Sequence, residues 1–159
     1  MLNKQTLLET FEYADGNLYW KHSKQGIRKD RLAGSSDQKG YVRIFIDKKP
    51  YLAHRIIFAM HHGYLPEFVD HIDGNPANNV IKNLRPATFS ENLQNSKLRA
   101  SNTSGYKGVC WDASINKWKV RVRCNKVRHT VGYFEDLELA GLVAQEAREK
   151  YHGQFARHL

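Results

Sequence analysis

Between residues 68 and 92 the chain gathers an Asp-His pair, Asp70 and His71, an Asp73-Gly74-Asn75 run, three asparagines at Asn78, Asn79 and Asn83, and a last one at Asn92. Carboxylate and carboxamide oxygens from Asp70 and Asn92 suit a hard divalent cation that keeps several waters and binds phosphate, Mg2+ in the first place and Mn2+ as its substitute. Such a pair works only if the fold carries its members together. Val69 and Ile72 mark a strand, Asp73-Gly74-Asn75 a turn, and Val80 to Leu84 a returning strand. Thr88-Phe89-Ser90-Glu91 then fits the capping box, in which a threonine hydroxyl and a glutamate three residues on satisfy opposite free amides at a helix start. Asn92 therefore falls in the first turns of a helix. Strand, loop, strand and helix can bring Asp70 and Asn92 together with His71 beside them. Asp-Gly-Asn and Asn-rich runs are common turn formers, so Asp73, Gly74, Asn75, Asn78 and Asn79 taken singly read as structural. The joint spacing of Asp70, His71, Asn83 and Asn92 carries the weight. His54 either caps a helix or faces the metal site, and His22, His61, His62, His152 and His158 read as surface residues.

The run His54-Arg55, Asp70-His71-Ile72-Asp73-Gly74-Asn75, Asn78-Asn79, Asn83-Leu84-Arg85 and Ser90-Glu91-Asn92 resembles that of the HNH endonucleases of homing and phage type, the ββα-metal nucleases. Weaker similarity reaches back to about residue 10. The resemblance implies that His71 is the general base, that Asp70 and Asn92 are metal ligands, and that Asn83 braces the loop between the two strands. The family's last position is here Asn92 rather than histidine, as in the homing-type branch. Arg85 and His54 are auxiliary candidates. The activity implied is metal-dependent hydrolysis of DNA phosphodiester bonds to 5′-phosphate and 3′-hydroxyl ends, with nicking expected from one site per monomer. A DNA-binding regulator with an inactive HNH unit is the alternative, and an RNA-binding or nucleoid protein acting through charge alone is a third reading.

Charge is distributed unevenly. Of 25 Lys and Arg against 16 Asp and Glu, residues 97–130 hold nine basic groups against Asp112 alone, whereas residues 51–96 hold three against four. Basic stretches of this kind favour polyanionic partners. In Lys117-Trp118-Lys119-Val120-Arg121-Val122-Arg123-Cys124 the period is two, which puts an apolar row on one face and a cationic row on the other. Tyr106–Trp111 and Val127–Phe134 read as its neighbours in a three-stranded antiparallel sheet. Asp136 caps a helix whose Ala140, Val143, Ala144, Ala147 and Tyr151 recur at helical spacing to cover the apolar face, with Gly153 as its stop. Over about 103–156 this stretch is similar to the Apetala-two/ethylene-response-factor DNA-binding domain, through Tyr106-Lys107-Gly108-Val109, Lys117-Trp118, Arg121-Val122-Arg123, Gly132-Tyr133-Phe134 and the Ala-rich helix. That resemblance implies that Lys107, Lys117, Lys119, Arg121, Arg123 and Arg128 meet DNA.

The remaining expectations concern organisation. Length (159 residues) and composition fit one or two small folded domains, and no apolar run approaches the roughly 20 residues of a membrane span. The segments Phe11–Trp20, about an Asp15-Gly16 turn, and 40–52, about Asp47-Lys48-Lys49, read as hairpins, and His54–Met60 as a short helix ended by Gly63 and Pro66. The fold class expected is α+β: a β-rich N-terminal segment, a ββα-metal HNH unit, then a three-stranded antiparallel sheet packed on one helix. The domains expected are 1–96 for the HNH domain with its core at about 68–97, a linker at 97–104, and 105–159 for the DNA-binding domain. Cys110 and Cys124 lack the spacing of a structural zinc site and read as reduced core residues. The opening residues Met1 to Gln5 lack an apolar stretch, and Glu9 and Glu12 follow early, so an intracellular monomer acting on double-stranded DNA, without membrane contact, is expected.

Overall fold

The structure is a computed structural model that describes residues 3–23, 26–124 and 126–158; Met1 and Leu2, part of the stretch read for a targeting signal, lie outside the described residues. It has the expected α+β make-up, with helices and antiparallel strands in two compact units, Met1–Ala87 and Thr88–Leu159. Among the described residues no helix is long and apolar enough to cross a membrane.

In the first unit, α1 (Lys4–Thr10) is capped by Asn3, whose side chain accepts from the Thr6 amide. It runs straight into the hairpin of β1 (Phe11–Ala14) and β2 (Asn17–Trp20). Asp15 and Gly16 both take positive φ at that turn, the geometry that matches the twist of paired strands. A second sheet joins the two-residue β3 (Ser35–Ser36) to β4 (Val42–Ile46) and β5 (Lys49–Leu52), with Asp47 and Lys48 in the left-handed region between β4 and β5. Next comes α2 (Ala53–His62), stopped by Gly63 at φ 79°. Its inward side chains Ile56, Ile57, Phe58 and Met60 pack with Leu7, Phe11, Leu18 and Ile44 in one core. Each such side chain withdrawn from water contributes about 1.5–3 kcal/mol, so α2 is held by what it covers. The unit ends with the antiparallel pair β6 (Phe68–His71) and β7 (Leu84–Ala87), in which Asp70 lies opposite Arg85 and His71 opposite Leu84. The returning strand therefore begins later than its apolar residues suggest. Residues Ile81–Asn83 form a turn of 3-10 helix, closed by the Asn83 amide on the Val80 carbonyl, and Ile72 lies outside β6 and is exposed. Asparagine side chains in the loop bond to nearby backbone and compete with strand pairing there.

In the second unit, α3 (Phe89–Gln94) opens with the capping box in full: the Glu91 amide donates to the Thr88 hydroxyl, and the Thr88 amide donates to the Glu91 carboxylate. Strands β8 (Val109–Asp112), β9 (Lys117–Cys124) and β10 (Val127–Phe134) form the expected three-stranded antiparallel sheet, β9 central. The first strand starts at Val109 rather than Tyr106, because Gly108 at φ 81° turns the chain immediately before it. A side chain at Gly108 would put its Cβ 2.5 Å from the Arg121 carbonyl oxygen, well inside van der Waals separation. Helix α4 (Leu137–His152), capped by Asp136, lays Ala140 and Ala144 on Val109 and Val120. Tyr151, expected in that seam, is largely exposed and stacks on His129 at 5.0 Å between ring centroids. The cysteines are free and half-buried rather than core. Register places Cys110 opposite Lys119, on the cationic face, where the Arg121 guanidinium reaches its sulfur at 3.2 Å.

Candidate active site

The end of β6 and the loop behind it hold most of the residues that the sequence singles out. Strand alternation would send Asp70 and His71 to opposite sides, yet both are buried, at 5% exposure each, since β6 has α2 on one flank and the loop 72–83 beyond its end. The Asp70 carboxylate accepts from the Arg85 Nε–H at 2.8 Å, across the β6–β7 pair. This is a buried ion pair, in which removal of either partner would leave the other charge uncompensated.

His71 stands at the centre of a ring cluster. Its Nε2 lies within hydrogen-bond distance, 2.9 Å, of the Asn79 carboxamide oxygen. The His54 ring meets it edge-on at 4.8 Å between centroids, and Tyr41 lies 6.1 Å away. His54 comes from the first turn of α2, where its side chain makes no capping bond, so of its two readings the structure supports a place beside His71. Burial, the nearby charge of His71 and that of Arg55 push its imidazole down to about 3, and it is neutral at ordinary pH.

Asn83 ties the loop into one piece. Its carboxamide oxygen accepts from the Asp73 amide, and its Nδ2 donates to the Asp73 carboxylate at 2.9 Å and to the Asn78 carbonyl at 2.8 Å. Burial works against the charge on Asp73, but the Asn75 amide and the Asn78 and Asn83 side chains outweigh it, with a further contribution from His71, and hold this carboxyl below the usual range. The loop is also supported from behind by the N-terminal hairpin. The Ile81 amide donates to the Tyr13 hydroxyl at 3.1 Å, and Gly16 lies so close to the 79–80 backbone that a Cβ there would fall 2.9 Å from the Val80 nitrogen. The sequence alone assigns no role to Asn79, Tyr13 or Gly16. Asn79 sits within the quoted motif, but nothing in the one-dimensional pattern distinguishes it from Asn78, and the hairpin contacts cross more than sixty positions of chain.

Asn92 belongs to the second unit, on α3, where its amide donates to the Thr88 carbonyl. The outward face of the β8–β10 sheet carries Lys117, Lys119, Arg121 and Arg123 along β9 and Arg128 opposite Arg123. Lys117 pairs with Glu135 at 3.2 Å, and Lys119 pairs with Asp112 at 3.7 Å and lies over the Tyr133 ring. Arg121, Arg123 and Arg128 line a shallow pocket with Gly108 and Val122. Lys107 is elsewhere. Its ammonium donates to the carbonyl oxygens of Ser96 and Arg157, and burial, then the charges of Arg148 and Arg157, push it down to about 8.

The metal question turns on donor chemistry. Among the described residues no three His, Cys, Asp or Glu side chains converge as ligands. What the chain offers is one buried carboxylate, Asp70, with a neutral imidazole, His54, in the same neighbourhood of His71 instead of a cationic one. A carboxylate donor that is already paired with the Arg85 guanidinium, beside a neutral His54, fits a hydrated hard cation bound through few protein ligands.

Residues 51–94 match the family model described as HNH endonuclease. The chain is 38% identical over 106 residues to Protein 3.8 of Escherichia phage T7, an alignment covering 65% of this chain and 87% of that protein. It is 34% identical over 106 residues to a protein of Acanthamoeba polyphaga mimivirus named as an HNH endonuclease, covering 65% of this chain and 54% of the relative. The chain thus spans about half the length of the second relative and most of the first. No solved structure matches.

Proposed function

We propose that this chain, whose residues 51–94 match the HNH endonuclease family model, is a metal-dependent DNA endonuclease in which His71 is the general base and Asp70 and Asn92 are the metal ligands. The observation that carries the reading is the setting of His71: a buried imidazole at a strand end, hydrogen-bonded through one ring nitrogen, next in sequence to a buried carboxylate, on a loop locked by Asn83.

A divalent cation held there supplies Lewis-acid stabilisation of charge at the scissile phosphate. The chain's own groups do the rest. His71 takes the proton of the attacking water, and its burial against the His54 ring restricts the directions in which it can do so. Attack at phosphorus with departure of the 3′-oxygen leaves 5′-phosphate and 3′-hydroxyl ends. Arg85 holds the Asp70 carboxylate aligned along the β6–β7 pair. Asn83 keeps the loop from swinging away from β6. Arg121, Arg123 and Arg128, with Lys117 and Lys119, are the proposed DNA face of the second unit. A single site per chain favours nicking.

A supercoiled plasmid incubated with the full chain, with and without Mg2+, tests this reading. Open-circular product is expected only with the metal. His71→Ala should lower the rate by about 10²–10⁴-fold, the range for a lost general base, while DNA affinity is kept, since the base acts in the chemical step. Wild-type cutting by that variant removes His71 from its role, and binding without cutting by the wild type favours a regulator with an inactive HNH unit.

A further inference from the structure

We propose that Tyr41 is a substrate-binding residue of the nuclease site, its hydroxyl donating to a non-bridging oxygen of the phosphate under attack. The assignment rests on the reading of the first unit as a nuclease with His71 as its base. The Tyr41 ring lies 6.1 Å from that of His71 and 5.7 Å from that of His54, and those two are 4.8 Å apart, so the three rings form one cluster. Both imidazoles are buried, whereas Tyr41 is half-buried. It therefore stands on the solvent side of the cluster. Its hydroxyl makes no hydrogen bond among the described residues. A phenolic hydroxyl without a protein partner keeps its proton to donate to a ligand.

Main-chain bonds hold Tyr41 in place. The Asp37 amide donates to the Tyr41 carbonyl and the Gly40 amide to the Asp37 carbonyl, both at 2.9 Å, while the Asp37 carboxylate accepts from the Lys39 and Tyr41 amides. Gly40, at φ 85°, brings this turn against the loop 72–83: a Cβ there would fall 3.1 Å from Pro76 Cγ. The ring is thus presented to His71 by bonds in which the hydroxyl takes no part. Attack at phosphorus adds negative charge to two non-bridging oxygens, and the cation of the proposed site neutralises one of them. The arginines of β4, α2 and β7 are engaged with protein groups. Arg43 pairs with Asp37 at 3.0 Å, Arg55 donates to the carbonyls of Glu67 and Pro66, and Arg85 pairs with Asp70. His54 is neutral and adds no charge. The Tyr41 hydroxyl is a donor left for the second oxygen, and a fixed donor aimed at developing charge acts most strongly in the transition state.

Tyr41→Phe removes the hydroxyl and keeps the ring beside His54, and is compared with wild type as the full chain. Single-turnover nicking at saturating DNA and Mg2+ should fall about 10- to 100-fold, the worth of a hydrogen bond to a charged oxygen, with the Mg2+ requirement unchanged. A second arm places a phosphorothioate of each configuration at the nicking position mapped for the wild type, since sulfur is a poor acceptor and binds the softer Mn2+ better than Mg2+. One diastereomer should be slow in Mg2+ and recover in Mn2+, reporting the oxygen at the metal. The other should be slow in either ion. In Tyr41→Phe that second penalty should vanish, because the donor that sulfur fails to satisfy is gone. A tyrosine that merely packs would leave the rate and the second penalty unchanged in Tyr41→Phe, and that result overturns this proposal alone. A wild type for which neither diastereomer is slow in Mn2+ overturns it with no variant needed. Failure of the wild type to nick any DNA overturns the nuclease reading itself, and this proposal with it.

Discussion

His54 shows what a buried side chain can report that its position in the sequence cannot. Its imidazole is held neutral down to about pH 3, whereas an unperturbed histidine takes up its proton near 6.5. Between those values the unfolded chain binds a proton that the folded chain refuses. The stability present above pH 6.5 is therefore lost as pH falls towards 3, by at most roughly 1.4 kcal/mol for each pH unit. The groups that set this are the apolar surroundings first, then His71 and Arg55. In His54→Phe the loss should be shallower than in wild type over that window, as read from denaturant midpoints across a pH series; equal acid limbs would remove His54 from the account. At this scale the placement of Asp70 and His71 at the end of β6 and of Asn83 in the loop behind it was legible, because motif residues are defined by type and spacing, whereas Asn92 stands on α3 of the second unit. The neighbours were not. Whether His54 caps α2 or faces His71 depends on which way the first turn of that helix points, and Asn79 differs from Asn78 only in what lies across from it.

Elements were legible where their ends carry their own chemistry. Asp136 before α4, Gly63 after α2 and Thr88 with Glu91 at α3 each satisfy amides or carbonyls that a helix end leaves open, and each stands where the sequence places it. The start of the strand opposite β6 was not legible, because apolar residues at Val80, Ile81 and Leu84 imitate a pairing segment while the asparagines among them bend the chain into a 3-10 turn. On the proposed role of Asn92 as a metal ligand the capping box bears on function, because α3 spans only Phe89–Gln94 and carries that residue. So short a helix cannot hold itself together by its own backbone bonds. Thr88→Ala should cost about 1 kcal/mol of stability and slow cleavage by raising the metal concentration needed. Thr88→Ser should restore both. Thermal melts alongside a Mg2+ titration of nicking check this, and an unchanged metal requirement in Thr88→Ala would separate the cap from the site.

For the molecule as a whole, the basic stretch 97–130, with nine Lys and Arg against Asp112 alone, is the part proposed to face DNA, but its charge does not say which cations serve. The alternation along β9 was legible, since Val120 and Val122 are buried and Arg121 and Arg123 exposed. The fate of Lys107 was not, because it is fixed by carbonyls of Ser96 and Arg157, eleven and fifty positions away. Removing one cation that neutralises a phosphate should flatten the log–log dependence of affinity on salt by about 0.9. Arg121→Ala and Arg123→Ala are expected to do so, and Lys107→Ala, whose ammonium is turned to backbone oxygens, is expected to leave the slope unchanged. Filter binding of a duplex at several salt concentrations decides; a flattened slope in Lys107→Ala would return it to the DNA face. The same long reach of the chain gives Gly16 a standing that its place in a plain hairpin turn conceals. Because its missing side chain is what lets the hairpin press on the 79–80 backbone, an allele altered there would be scored in a genetic selection with the catalytic nulls, more than fifty codons from the residue it disables. A map of inactivating mutations in this gene is therefore a map of mechanical support as well as of chemistry.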